Sequence, residues 1–195
     1  MELIKHIDEV ILIFIKDNLS NNFFNIIMPI ISALGNIGFI WILSAIVMIS
    51  MKKYRNYGFA VITALAIGYL IGNIILKNIF ARIRPYNMIE GIELLIAPLS
   101  DFSFPSGHTL SSFAAAMIIF AANKRWGIPA FILASLIAFS RMYLFVHYPT
   151  DIIAGILIGL FSAYITLLIF KKFGWIKNTQ KNHNINKKLN NQNKI

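Results

Sequence analysis

Five stretches of this chain, at residues 31–51, 58–76, 107–123, 127–146 and 150–171, approach or reach the run of about 20 apolar residues that a helix needs to cross roughly 30 Å of hydrocarbon. Charges fall mostly between these stretches; Arg141, Asp151 and Lys171 are the ones inside. The expectation is therefore an all-α, polytopic membrane helical bundle of five to six spans. Composition agrees: 57% of residues are hydrophobic and 13% charged, more apolar than a single soluble core requires. The third stretch is short unless its first turn dips into the headgroup layer.

A formal net charge of +10 raises nucleic acid as a partner, but the positions of the charges argue against it. Lys52, Lys53 and Arg55 form one cluster, Lys124 and Arg125 a second, and Lys171, Lys172 and Lys177 a third, each beside an apolar stretch. The closing segment KNTQKNHNINKKLNNQNKI is rich in Asn and Lys and has no hydrophobic periodicity, so it reads as disordered. Loop and tail basicity of this kind marks the cytoplasmic side and suits anionic membrane lipids. With all three clusters inside, the second and fourth stretches run outward and the third and fifth return. Residues 77–106 and the 147–149 turn then share the outer face. The absence of cysteine excludes disulfides and thiolate metal sites.

The N-terminal region reads differently. MELIKHIDEVILIFIKDNLS sets Ile4, Ile7, Ile11, Phe14 and Ile15 against Glu2, Lys5, Asp8 and Glu9 at near-helical spacing, which predicts an amphipathic helix at the membrane surface. A sixth span running from residues 10–15 into FFNIIMPI would have to bury Lys16 and Asp17. The start does not read as a cleavable signal, because Glu2, Asp8 and Glu9 precede the first apolar run and no small-residue cleavage site follows. The expected organisation is an N-terminal helix at 1–22, a membrane-embedded domain at 23–173 and a basic cytoplasmic tail at 174–195. Gly68 and Gly72 form a small-xxx-small pattern suited to close helix approach.

Unusual polar residues gather at the outer ends of the spans. KNIFARIRP holds Lys77, Arg82, Arg84 and Pro85; FPSGHT holds Pro105, Ser106, Gly107 and His108; SRMYLFVHYPTD holds Ser140, Arg141, His147 and Asp151. Taken singly, most have ordinary explanations: Arg82 can snorkel to headgroups, Pro105 and Ser106 can start a helix, and a lone histidine is usually a satisfied interfacial residue. Arg141 resists such an account, because it sits inside its span, where a cation is costly without an anion or a polar cavity.

Together these residues describe an anion site. Free N–H groups at the helix start around Ser106, Gly107 and His108 can cradle phosphate oxygens with the Ser106 hydroxyl, and Lys77, Arg84 and Arg141 can neutralise the remaining charge. A carboxylate at Asp151 can fix the tautomer of His147 and leave its other nitrogen as a nucleophile for phosphorus. His108 is then placed to protonate the leaving oxygen and to activate water afterwards. The substrate expected is a phosphate or pyrophosphate ester whose apolar part lies among the membrane lipids.

These three motifs, K-x6-RP, PSGH and SR-x5-H-x3-D, resemble those of the type 2 phosphatidic acid phosphatase (PAP2) superfamily, the membrane lipid phosphatases related to vanadium haloperoxidases. The resemblance covers residues 77–151, in order and complete. It implies a metal-independent phosphatase without cofactor, with His147 as nucleophile, Asp151 as its partner, His108 as acid and base, and Lys77, Arg84, Ser106, Gly107 and Arg141 binding phosphate. It also implies substrates such as undecaprenyl pyrophosphate or phosphatidylglycerol phosphate, and the outer face favours the polyprenyl carrier. Other classes stay open: a metal hydrolase built on His108, His147 and Asp151 with Asp101 or Glu93, a lipid phosphotransferase using an acceptor hydroxyl instead of water, or a transporter that binds lipid phosphate without turnover. The FPSGH segment lacks the G-x-S-x-G elbow of a serine hydrolase.

Overall fold

In the computed structural model, residues 2–176 are described; the segment from Lys177 onward, with the expected tail, lies outside them. Among the described residues the structure is helical and has no strand. Helix α1 (Glu2–Leu19) is followed by α2 (Asn22–Leu34), which starts where the Asn21 side chain accepts the Phe24 N–H at 3.0 Å. A tight turn at Asn36–Gly38, with Ile37 and Gly38 at φ 54° and 71°, leads into α3 (Phe39–Ser50). The expected span at 31–51 is thus two segments that meet at a 46° bend, with the apolar run beginning at Asn22. The bend follows from the Gly-Asn-Ile-Gly sequence, which supplies left-handed backbone at the break.

Helix α4 (Arg55–Tyr69) runs on through the wider π-helical turns of Leu70–Leu76 into α5 (Lys77–Phe80) and ends at Ala81 in the left-handed conformation. Helices α6 (Gly107–Ala122), α7 (Lys124–Tyr143) and α8 (Pro149–Lys172) complete the bundle. Three helical stretches, Arg55–Asn87, Lys124–Tyr143 and Pro149–Lys172, are long and apolar enough to cross a membrane, and the bent α2–α3 pair has the length and apolarity for a fourth if it forms one broken span rather than a re-entrant loop. At 16 residues α6 is apolar but shorter than a full crossing.

Helix α6 is the core of the bundle, lying against α4, α7 and α8. Its buried face is small, with Ala114, Ala115 and Ala116 against Ala134, Ile137 and Ala163. Glycines on its neighbours bring it closer still. A methyl group at Gly159 would lie 2.4 Å from the Leu110 carbonyl oxygen, and one at Gly68 would lie 2.3 Å from the Leu110 side chain. This close fit, together with a bond from the Trp41 indole N–H to Ser112 Oγ at 2.9 Å, holds the start of α6 in one place.

The turns carrying the first two basic clusters meet at one end of the bundle, where Asn123 Nδ2 donates to Tyr54 OH at 3.1 Å. Asn56 beside the first cluster also donates to the carbonyl of Trp175, which follows Lys171 and Lys172 of the third. The three motifs lie toward the opposite ends of their helices. Helix α1 is amphipathic as expected, with Leu12 and Ile15 buried and Leu3, Ile4 and Phe14 exposed. One of its expected solvent-facing charges departs from that pattern: Asp8 is completely buried against the bundle.

Candidate active site

Helix termini and the loops that follow them build a cavity of about 480 Å³, lined by Lys77, Arg84, Asp101, Gly107, His108, Arg141 and His147. Seven residues from three sequence motifs and one loop therefore share one chamber. Its other wall is apolar and includes Ile42, Ile62, Leu65 and Tyr69 from α3 and α4.

Arg84 organises the loops. Its Nη1 donates to the Val146 carbonyl at 2.6 Å and sits 3.3 Å from His147 Nε2, while Nε donates to the Asp101 carbonyl at 2.9 Å and Nη2 to Asp101 Oδ1 at 2.6 Å. Lys77 Nζ bonds the other oxygen of the same carboxylate. Asp101 thus lies between two of the expected phosphate-binding cations. Burial by itself would raise its carboxyl, but the bonds and charges of Lys77 and Arg84 outweigh that and bring its pKa to about 2. An anion is held in the cage by the protein itself.

Arg141 is the third cation and is treated differently. Its side chain is 2% exposed, one Nη donates to Ser32 Oγ of α2, and Nε and the second Nη have no partner among the described residues. Buried guanidinium nitrogens left this way are costly, so the arrangement fits a site shaped for a ligand. The same residue's carbonyl accepts the Val146 and His147 N–H groups at 3.2 and 3.3 Å, which folds the turn after α7 back toward the cavity. That wrap accounts for the short spacing between Arg141 and His147.

His147 is 1% exposed. Arg84 N–H faces its Nε2, so the lone pair is on Nε2 and the proton on Nδ1, where Asp151 Oδ2 stands at 3.5 Å. Burial, assisted by Arg84 and Arg141 and opposed by Asp151, lowers the His147 pKa to about 3, keeping the ring neutral. Asp151, at the third position of α8, is itself fully buried; its Oδ2 accepts the Tyr148 N–H at 2.9 Å and the Ser103 hydroxyl. Ser103 is a member of this group that motif spacing did not single out, because it sits in a loop of unremarkable composition.

At the start of α6, the Ser106 N–H donates to the Asp151 carbonyl at 3.1 Å, tying the PSGH turn to α8. Gly155 permits this contact, since a methyl there would lie 2.8 Å from the Ser106 carbonyl oxygen. Ser106 Oγ is fully buried as the helix cap, accepting from Thr109 N–H at 3.4 Å and Thr109 Oγ1 at 3.0 Å. Gly107 and His108 line the cavity, whereas Ser106 and Asp151 stand behind it. Two asparagines escaped sequence reasoning: Asn36 Oδ1 lies 2.9 Å from His108 Nε2, and Asn73, one helical turn before Lys77, lines the cavity beside Gly107. A helical i, i+4 search outward from Lys77 would have found Asn73; nothing local points from Asn36 to His108.

Among the described residues, no three His, Asp or Glu side chains gather closely enough to hold a metal ion. Asp101 is engaged by cations, and Glu93 lines a separate pocket near Lys16 and Tyr143.

The profile of the PAP2 superfamily matches residues 54–175. An undecaprenyl-diphosphatase of Sulfolobus acidocaldarius is 30% identical over 132 residues, which covers 67% of this chain and 64% of that relative's length. The crystal structure of LpxE from Aquifex aeolicus superposes with a TM-score of 0.74 at 27% identity, covering 83% of this chain and 94% of that one. A PAP2 type phosphatidylglycerolphosphate phosphatase from Bacillus subtilis shares the fold at a TM-score of 0.73 and 24% identity, covering 92% and 90% of the two chains.

Proposed function

The chain belongs to the PAP2 superfamily, and from that premise we propose that it is a membrane lipid phosphatase that hydrolyses undecaprenyl pyrophosphate to undecaprenyl phosphate through a phosphohistidine. One observation carries the reading: a single cavity joins an apolar wall, Ile42, Ile62, Leu65 and Tyr69, to a cationic end where Arg141 presents two nitrogens without a partner among the described residues. A lipid phosphate has matching halves. The similarity to an undecaprenyl-diphosphatase favours the polyprenyl pyrophosphate among such lipids.

In this mechanism the terminal phosphate displaces Asp101 from Lys77 and Arg84 and fills the open donors of Arg141. The N–H groups at the start of α6 receive its remaining oxygens, with Gly107 allowing close approach. The His147 Nε2 lone pair attacks the terminal phosphorus as the bond to the bridging oxygen breaks. His108 gives that oxygen a proton, and undecaprenyl phosphate departs. His108 then takes a proton from water, whose oxygen attacks the phosphohistidine; the P–N bond breaks, inorganic phosphate leaves and His147 is restored. Asp151 holds the Nδ1 proton throughout and steadies the charge that appears on the ring. Charge accumulating on the phosphoryl oxygens meets cations that are already in position, which is where most of the acceleration arises.

The arrangement of basic turns supports an orientation in which the cavity opens on the extracytoplasmic side of the cell membrane and the C-terminal tail is cytoplasmic. The test is phosphate release by purified protein in detergent with EDTA, comparing undecaprenyl pyrophosphate with phosphatidylglycerol phosphate. Wild type should release phosphate preferentially from the former, and His147→Ala should be slower by about 10⁴-fold. Preference for the glycerophosphate would move the substrate to phospholipid synthesis. Robust turnover by His147→Ala would remove the nucleophile assignment.

A further inference from the structure

The N-terminal helix reaches the carboxylate behind His147 through one arginine. Arg82 Nη1 donates to Asp151 Oδ1 and to Thr150 Oγ1, each at 2.7 Å, and its Nη2 donates to Asp8 Oδ2 at 2.6 Å. Asp8 also accepts from the Thr150 N–H at 3.0 Å and the Thr150 hydroxyl at 2.6 Å. Both carboxylates are fully buried, and the guanidinium lies 3.9 Å above the Tyr148 ring. Arg82 is therefore clamped by a helix more than 60 residues away in sequence and by the first turn of α8.

This is not a snorkelling arginine. A surface ion pair contributes little, but here one guanidinium is shared between two buried carboxylates that would otherwise repel each other. Its effect on Asp151 is geometric. Oδ2 accepts from Ser103 and the Tyr148 N–H on the side of His147, while Oδ1 has Arg82 as its side-chain donor. With Oδ1 fixed, the carboxylate cannot rotate about its terminal torsion, and Oδ2 stays aimed at the Nδ1 proton. Asp8 in turn fixes the plane of the guanidinium, because Arg82 spans its two ends between the two acids.

We propose that Asp8 and Arg82 are positioning residues for the nucleophile, so that the N-terminal helix, apart from any membrane-surface role, is a structural part of the catalytic site. Neither residue touches the substrate cavity. The inference rests on the reading of His147 as nucleophile, and it assigns Asp8 and Arg82 a task that K-x6-RP, PSGH and SR-x5-H-x3-D leave empty.

The test uses full-length protein in detergent and four variants: Asp8→Asn, Arg82→Lys, the two combined, and Lys16→Ala. Lys16 donates to the Gly91 carbonyl at 3.1 Å and so ties the same helix to the outer loop without reaching Asp151. Two quantities are read, hydrolysis of undecaprenyl pyrophosphate with EDTA and the imidazole 15N spectrum that reports the His147 tautomer. Arg82→Lys should lower kcat by about 10-fold to 100-fold with KM within about twofold, Asp8→Asn by somewhat less, and the double variant no further than Arg82→Lys alone. Lys16→Ala should retain wild-type kcat. In the spectrum, His147 should carry its proton on Nδ1 in wild type and populate the other tautomer in Arg82→Lys and Asp8→Asn.

Variants that lose Tm but keep wild-type kcat and the Nδ1 tautomer would overturn the proposal and leave a purely structural tie. Should Asp8→Asn fail to fold, Arg82→Lys, which keeps the charge, carries the comparison. Wild type without His147-dependent hydrolysis would remove the parent reading, and with it the word nucleophile, while the tautomer comparison would still decide whether Asp8 and Arg82 position the His147 ring.

Discussion

The two sides of the His147 ring differ in how completely their polar groups are satisfied. Behind the ring, the Asp151 oxygens are occupied by Arg82, Ser103 and the Tyr148 N–H, and Asp8 is bonded at both oxygens. In front of it, Arg141 keeps two nitrogens unpartnered among the described residues, and Lys77 and Arg84 lean on a half-exposed carboxylate. The satisfied side is support, and on the proposed function the unsatisfied side is where the lipid phosphate binds. Buried polar groups cost free energy when unpaired, so a protein retains such a deficit where a substrate will fill it.

The sharpest way to break this contrast is Arg141→Met. On the ligand side it should reduce kcat/KM by about 10²-fold to 10³-fold, in the range of losing a principal donor to transition-state charge. The Tm should hold or rise, because the substitution removes a buried and incompletely paired cation. A large fall in Tm would instead move Arg141 to the supporting side. Comparing thermal melts with phosphate-release kinetics on the same preparation separates the two.

A smaller effect is expected at Asp101, which stands on the ligand side as a resident anion. Asp101→Asn removes the charge that substrate phosphate must displace, so inhibition by inorganic phosphate should tighten by about threefold, a modest figure because the side chain is half exposed. Weaker inhibition in that variant would mean that Asp101 chiefly orders Arg84 and belongs with the support.

The smallest effect concerns pH. The His147 pKa is near 3 when folded, against an ordinary value of about 6.5. Between these values the unfolded chain binds the extra proton, so the stability linked to this ring is fully present above about pH 6.5 and is lost as pH falls toward 3. The Tm of wild type should therefore drop more steeply from pH 7 to pH 4 than that of His147→Gln. Parallel curves would show that the buried ring is not a source of acid sensitivity.

Much of the cavity's polar lining could be read before any folding was considered. Lys77, Arg84, Gly107, His108, Arg141 and His147 all line one cavity, and Ser106 and Asp151 lie directly behind it. Local rules account for this legibility: helix starts need caps, deep cations need a reason, and three spaced motifs constrain one another. The less legible parts involve long-range pairing. Arg82 reads singly as a headgroup-seeking residue, and Asp8 as one more charge on the polar face of α1; each finds its partner only when α1 docks against the ends of α7 and α8.

Hydrophobic periodicity and charge placement, which act within a few turns of chain, determined from the sequence that the described part of this membrane protein is helical and which residues would gather around one cavity. Only the tertiary structure decided that the first long apolar run bends by 46°, that Ser106 Oγ caps α6, that Asp101 bonds Lys77 and Arg84 and that Arg82 ties the N-terminal helix to Asp151. These depend on which buried donors and acceptors are left over once the helices have closed around α6. Such a remainder is settled by packing across the whole bundle, and no local stretch of sequence encodes it.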